Sequence, residues 1–82
     1  AFMGAYGVDA ETGEVSTFDA DDGALKAAAM GRASRSYLLC ESGKFSAFGS
    51  YRYAGLADFD ALVCEDATLA AERVRPHGVD VL

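Results

Sequence analysis

Residues Asp19 to Cys40 read DADDGALKAAAMGRASRSYLLC, and this stretch decides the fold. Asp19 has the short acceptor side chain that caps a helix N-terminus. Asp21 and Asp22 add negative charge in the first turn, where the helix dipole and its free amides favour it. Asp19 and Asp22 also stand at capping-box spacing, with Asp in the place usual for Glu. The alanine-rich run to Ser34 has high intrinsic helix propensity, and Arg32 and Arg35 bring positive charge to its end. So many alanines predict close packing on a sheet rather than a thick hydrophobic ridge. Ser36 to Cys40 is then a short apolar run without alternation, the pattern of a buried strand. A helix feeding straight into a buried strand is one unit of an α/β layer.

The flanking sequence repeats that logic. Ala1 to Val8 (AFMGAYGV) is apolar throughout and reads as one strand covered on both faces. Asp9 to Thr17 is polar and turn-rich, with Gly13 at its centre, and reads as a loop. After Cys40, Glu41 to Phe45 makes a tight turn. Ser50 to Leu56 alternates loosely between aromatic and small or polar side chains, as an exposed or edge strand does. Ala61 to Cys64 (ALVC) is a further buried run. Asp66 caps a second helix with Leu69, Ala70 and Val74 on one face, and Pro76 and Gly78 stop it. Val79 to Leu82 starts a last strand. The order strand, helix, strand, short strand, strand, helix, strand predicts an α/β fold: a layered, mostly parallel sheet flanked by helices. The chain opens inside an apolar strand with nothing before it, which predicts a C-terminal fragment of a larger sheet.

Composition narrows the function. With 82 residues there is room for one domain with a thin core. Thirteen acids against seven bases give a net charge of −6, a surface that repels phosphate backbones, so any DNA binding belongs to another segment. No apolar stretch approaches the length of a bilayer span, and no basic leader precedes one. Cys40 and Cys64 lack metal-ligand spacing and read as reduced, packed thiols. Each ends a strand of similar design, so the two can meet in space. His77, between Pro76 and Gly78, reads as an exposed helix-end residue with no second metal ligand near it in sequence.

Four short motifs, in order, resemble the effector domain of DeoR-type bacterial transcriptional regulators. Ala1 to Asp9 (AFMGAYGVD) is similar to that family's strand ending in Gly-Ala-Asp-Gly-Ile-Asp. Asp19 to Lys26 (DADDGALK) resembles its helix start, Asp-x-Glu-Glu-Ala-x-x-Lys. Leu38 to Phe45 (LLCESGKF) is similar to Leu-x-Asp-Ser-Ser-Lys-Phe, and Asp58 to Asp66 (DFDALVCED) to Asp-x-Asp-x-Leu-Ile-Thr-Asp. The resemblance covers nearly the whole chain. It implies a fold shared with ribose-5-phosphate isomerases, glucosamine-6-phosphate deaminases and CoA transferases. It also implies a cytoplasmic, homo-oligomeric repressor of sugar metabolism that senses a phosphorylated sugar. In that family the DNA-binding winged helix and the first half of the sensor lie upstream, so residues 1–82 correspond to the sensor's C-terminal portion. No cofactor, metal or membrane is implied.

The candidate ligand residues follow from both lines of reading. Lys44 sits in a tight turn after a buried strand, at the strand-end edge where open α/β sheets gather ligands. A lysine there pairs with a phosphate dianion, and Ser42 and the turn amides can donate hydrogen bonds to it. The isomerase motif Asp-Glu-Ser-Lys is similar, and its lysine contacts substrate phosphate. Tyr6 departs from the family pattern, which has Asp. A phenol with pKa about 10 is a poor base at neutral pH, so Tyr6 either packs or meets a different ligand. Asp22 stands where the family has Glu, and serves either the ligand or the helix start. Lys26, four residues on, is placed to pair with it. Asp9 either orients the Gly7 turn or reaches the cleft. Tyr51 and Tyr53 are open to three roles: subunit contact, pocket wall or core. No catalytic acid–base pair is evident. The alternatives to a sensor are an isomerase-like enzyme of the same fold and a dimerisation fragment that has lost its ligand.

Overall fold

The computed structural model describes residues 1–82. Seven strands and two helices form in the order β1 (Phe2–Gly4), β2 (Gly7–Val8), β3 (Glu14–Thr17), α1 (Ala20–Arg32), β4 (Tyr37–Leu39), β5 (Tyr51–Gly55), β6 (Ala61–Val63), α2 (Ala67–Val74) and β7 (Asp80–Val81). Three single 3-10 turns join them, at Ser42–Ser46, Leu56–Asp58 and Arg75–His77. The chain is α/β, built on a four-stranded parallel sheet of order β1-β4-β6-β7. No helix is long and apolar enough to cross a membrane.

A second, antiparallel sheet of order β2-β3-β5 corrects two expectations. The apolar run 1–8 is two strands rather than one. β1 joins the parallel sheet, and the chain turns at Ala5–Tyr6 so that β2 joins the other. The turn is fixed from outside the run. The Tyr6 amide donates to the Ser16 carbonyl at 2.9 Å, and Gly7 packs its backbone against Ala47, leaving no room for a side chain. β1 is also not covered on both faces, since Phe2 is 71% exposed. The polar segment 9–17 is a loop only as far as Gly13, and Glu14–Thr17 is the central strand of the antiparallel sheet. Its Ser16 and Thr17 side chains are buried because each finds a partner. Ser16 Oγ donates to the Gly7 carbonyl at 3.1 Å and accepts from the Gly49 amide at 2.9 Å. Thr17 Oγ1 donates to Asp22 Oδ2 at 2.8 Å. β5 is an edge strand, as its alternation predicted.

One core joins the two sheets and α2. Leu38 and Leu62 come from the parallel sheet, Val8, Val15 and Ala54 from the antiparallel one, and Ala70 and Val74 from α2. Full burial of each large aliphatic side chain contributes about 1.5–3 kcal/mol. The register Met3–Leu38–Leu62–Val81 points one face of the parallel sheet at this core. The opposite face carries Phe2, Leu39, Val63 and Leu82, all exposed.

Both helix starts follow the sequence. Asp19 accepts from the Asp21 amide at 2.9 Å and Asp66 from the Leu69 amide at 3.1 Å. The capping box does not close, because the Asp22 carboxylate turns to Thr17 and Lys26 instead. α1 packs through Gly23 and through Met30, half-buried against the core, rather than through its alanines. Gly23 is buried, where a Cβ would lie 3.2 Å from Thr17 Cγ2 and 3.5 Å from Tyr53 Cβ. Ala24, Ala28 and Ala29 are exposed. Gly78, left-handed at φ 76°, ends the turn after α2. His77 is half-buried rather than exposed. Its Nε2 lies 2.6 Å from the Ala10 carbonyl, which pins the loop before β3 to the end of α2.

Candidate functional site

Parallel strands direct their C-terminal ends to one edge, and here β1 ends at Gly4 beside the end of β3, the start of α1 and the turn after β4. These four segments line an open cavity of about 440 Å³. Gly4, Ala5 and Tyr6 form one wall, Thr17, Phe18 and Asp19 a second, Asp22 and Lys26 the helix side, and Lys44 reaches in from the turn. A wider depression of about 530 Å³ runs along α2 and β7, but Arg75 and Asp80, both exposed, are its only charged groups. The Lys44 cavity combines apolar wall with convergent polar groups, which is the character of a binding site.

The four charges in this cavity are unequally paired. Lys26 Nζ pairs with Asp22 Oδ2 at 2.9 Å and donates to the Gly4 carbonyl at 3.3 Å. The Lys26 and Thr17 hydrogen bonds together hold the Asp22 carboxyl below its usual range. Tyr53 donates from its hydroxyl to the same Gly4 carbonyl at 2.7 Å, and burial pushes its phenol up. Tyr53 is partly buried against the core and lies behind the cavity rather than in its lining. Asp22 and Lys26 cancel, and Asp22–Lys26 is the chain's one ion pair. Lys44 is left as the cavity's cation without an ion-pair partner, since the Asp19 carboxylate, also in the lining, serves the helix cap. Its Nζ lies 5.2 Å from the centre of the Tyr6 ring, within cation–π range, and Tyr6 meets Phe18 edge to face at 5.6 Å.

The fold therefore brings Lys44, Tyr6 and Asp22 to one cavity. It does not bring Ser42 or Asp9 there. Ser42 turns away to Glu65, donating its amide and its hydroxyl to the carboxylate at 2.7 Å each. These bonds hold the Glu65 carboxyl below its usual range. Asp9 orients a turn, though a different one from the Gly7 turn. Its Oδ1 accepts from the Glu11 amide at 2.9 Å and the Thr12 amide at 3.3 Å, closing the loop before β3. Sequence reading missed Phe18 and Thr17. Phe18 gave no signal, since a hydrophobic residue before the Asp19 cap would read as a staple only with an apolar partner at the fourth helical position, which here is Gly23. Thr17 gave none either, because its partner Asp22 lies across the cap. No group of three or more His, Cys, Asp or Glu side chains is placed to hold a metal ion. Cys40 and Cys64 are free thiols at the ends of the neighbouring strands β4 and β6, the first buried and the second half-exposed.

An open α/β layer with a charged cavity at its strand ends is an architecture in which ligand clefts commonly form. Comparison with known families is more specific. Residues 1–66 match the DeoR C terminal sensor domain, and the chain belongs to that family, the regulatory sensor domains of DeoR-type transcription factors. No curated protein and no solved structure matches the chain.

Proposed function

We propose that this chain is the effector-binding, C-terminal portion of the sensor of a DeoR-type repressor of sugar metabolism, and that it recognises a phosphorylated sugar in the Lys44 cavity. Lys44 supports the reading above all: it is an ammonium without an ion-pair partner at the C-terminal edge of a parallel sheet, where a phosphate finds a charge-assisted partner. The regulator acts in the cytoplasm as a homo-oligomer and engages DNA through an upstream winged helix, since a net charge of −6 gives this portion no affinity for a phosphate backbone. No turnover is assigned to it. Asp22 is held ionised by Lys26 and Thr17, which suits a structural charge better than a proton carrier.

The test uses the full-length regulator on its operator DNA, titrated with a panel of phosphorylated sugars and their dephosphorylated counterparts. Release or tightening by a phosphorylated sugar, and not by its free form, is the expected result. DNA binding indifferent to every phosphorylated sugar would sink the reading, and isomerised product in the same mixture would assign an enzyme instead.

A further inference from the structure

We propose that Tyr6 and Phe18 are specificity-determining residues, selecting a phosphate monoester whose carbon part is a ring with an apolar face over an open-chain one. The inference rests on the phosphate reading of Lys44 and adds what the other end of the ligand must be. Two aromatic side chains stand at the cavity, Tyr6 at 44% and Phe18 at 68% exposure. Single exposed aromatics need no explanation, but two in edge-to-face contact, both lining one cavity, form an apolar wall awaiting a partner. Lys44 Nζ lies over the Tyr6 ring, so an anion held by Lys44 sits beside that wall and the rest of the ligand lies against it.

The polar groups argue in the same direction. Any polyol phosphate, ring or open chain, needs a donor or acceptor for each hydroxyl it gives up to the site, so a cavity with few free polar groups favours a ligand that presents an apolar face. Asp22 is the cavity's carboxylate on the helix side, and its Oδ2 already serves both Thr17 and Lys26, leaving Oδ1. The Asp19 carboxylate serves the helix cap. A ring loses less rotational freedom on binding than an open chain and offers a flat C–H or π face to Phe18. Two kinds of ligand share this chemistry, a cyclic sugar phosphate and a nucleoside monophosphate.

The experiment measures binding of four probes to the full-length protein by calorimetry: inorganic phosphate, glycerol 3-phosphate, glucose 6-phosphate and adenosine monophosphate. Wild type should bind at least one ring-bearing ester about ten-fold or more tighter than glycerol 3-phosphate, a ratio in the range of an aromatic contact plus its buried area. Whichever ring ester is tighter identifies the source of the ring. Phe18→Ala should bring the ratio to within about three-fold while leaving inorganic phosphate unchanged. Phe18→Leu, which keeps an apolar side chain, should fall between. Tyr6→Phe should keep the ratio, because it keeps the wall. Equal affinity for ring and open-chain esters in wild type, or a ratio unmoved by Phe18→Ala, would overturn the proposal. If none of the probes binds, inorganic phosphate included, the phosphate reading of Lys44 fails and this inference fails with it.

Discussion

Glu65 grips Ser42 with both carboxylate oxygens, Oε1 accepting from the backbone amide and Oε2 from the side-chain hydroxyl, each at 2.7 Å. The same Oε1 accepts from the Cys64 thiol at 3.3 Å. This ties the turn that carries Lys44 to the end of β6, so Ser42 anchors the turn and lies outside the Lys44 cavity. Because the Ser42 bonds depress the Glu65 pKa, the unfolded chain takes up this proton more readily than the folded one. The tie therefore stabilises fully above the ordinary glutamate value of 4.5, and its contribution is lost as pH falls through the folded pKa. The Ser42 amide resonance should follow that acid transition in an NMR titration. Glu65→Gln should abolish it at Ser42 while leaving the separate acid transition of Asp22. A Ser42 amide insensitive to acid in the wild type would show that the carboxylate does not hold the turn.

Two glycines should respond oppositely to alanine. A Cβ at Gly7 would run directly into the Ala47 carbonyl, which is backbone and cannot swing away. Gly7→Ala should destabilise by about 1–3 kcal/mol, the usual range for overpacking. Gly31 lies in α1 with nothing within 4 Å of its would-be Cβ. Gly31→Ala should stabilise by about 0.4–1 kcal/mol, through the unfolded chain. Chemical denaturation of both variants checks the pair of signs.

What was legible in the sequence is what local chemistry decides. Asp19 and Asp66 announce their helices because a cap is a bond between near neighbours. The triplets Tyr37–Leu39 and Ala61–Val63 announce strands because each is an unbroken apolar run. The break at Ala5–Tyr6 was not legible, since every residue around it is apolar or Gly and its cause lies at Ser16 and Ala47. β3 was hidden for the converse reason. Ser16 and Thr17 look like loop residues until the Gly7 carbonyl, the Gly49 amide and Asp22 satisfy them. In the cavity, Lys44 was singled out by its place after a buried strand and Tyr6 by its departure from the family pattern, whereas the commitment of Ser42 to Glu65 depends on residues 23 apart in sequence.

The two cysteines should differ in reactivity. Burial, then the neighbouring Cys64, pushes the Cys40 thiol up to about 12, and partial burial also raises Cys64. Only the thiolate is the nucleophile. Alkylation of the native protein at pH 8 should therefore be slow at both sites and should mark the half-exposed Cys64 before Cys40, as read by mass spectrometry. Cys40 labelled first would contradict its burial in the core.

The outer face of the parallel sheet should drive association of isolated residues 1–82. Parallel sheets are ordinarily covered on both faces. Here Phe2 stacks on Tyr37 at 5.3 Å and remains largely exposed, with Leu39 and Val63 beside it on the neighbouring strands. Sedimentation should show mass rising with concentration. Leu39→Lys with Val63→Lys should reduce that rise without a large drop in melting temperature, because both point away from the Leu38–Leu62 core. A compact monomer at all concentrations would show that the face is tolerated in water.

Lys44→Ala should weaken binding of the phosphorylated effector far more than it weakens the fold. Lys44 forms no ion pair, and its ammonium rests only over the Tyr6 ring. A half-buried turn residue so placed contributes little to folding, so the substitution should change stability by about 0.5 kcal/mol. A charge-assisted hydrogen bond to phosphate contributes about 1.5–3 kcal/mol, so affinity should fall by roughly ten- to a hundred-fold. The measurement is paired: calorimetric titration with an effector that wild type binds, and unfolding of the same two proteins without ligand. The dephosphorylated sugar serves as control, because a lysine that reads only phosphate should leave its affinity unchanged. Unaltered affinity for the phosphorylated form would remove Lys44 from the site. A large loss of stability would mean that its contact with Tyr6 holds the turn in place, making Lys44 a structural residue.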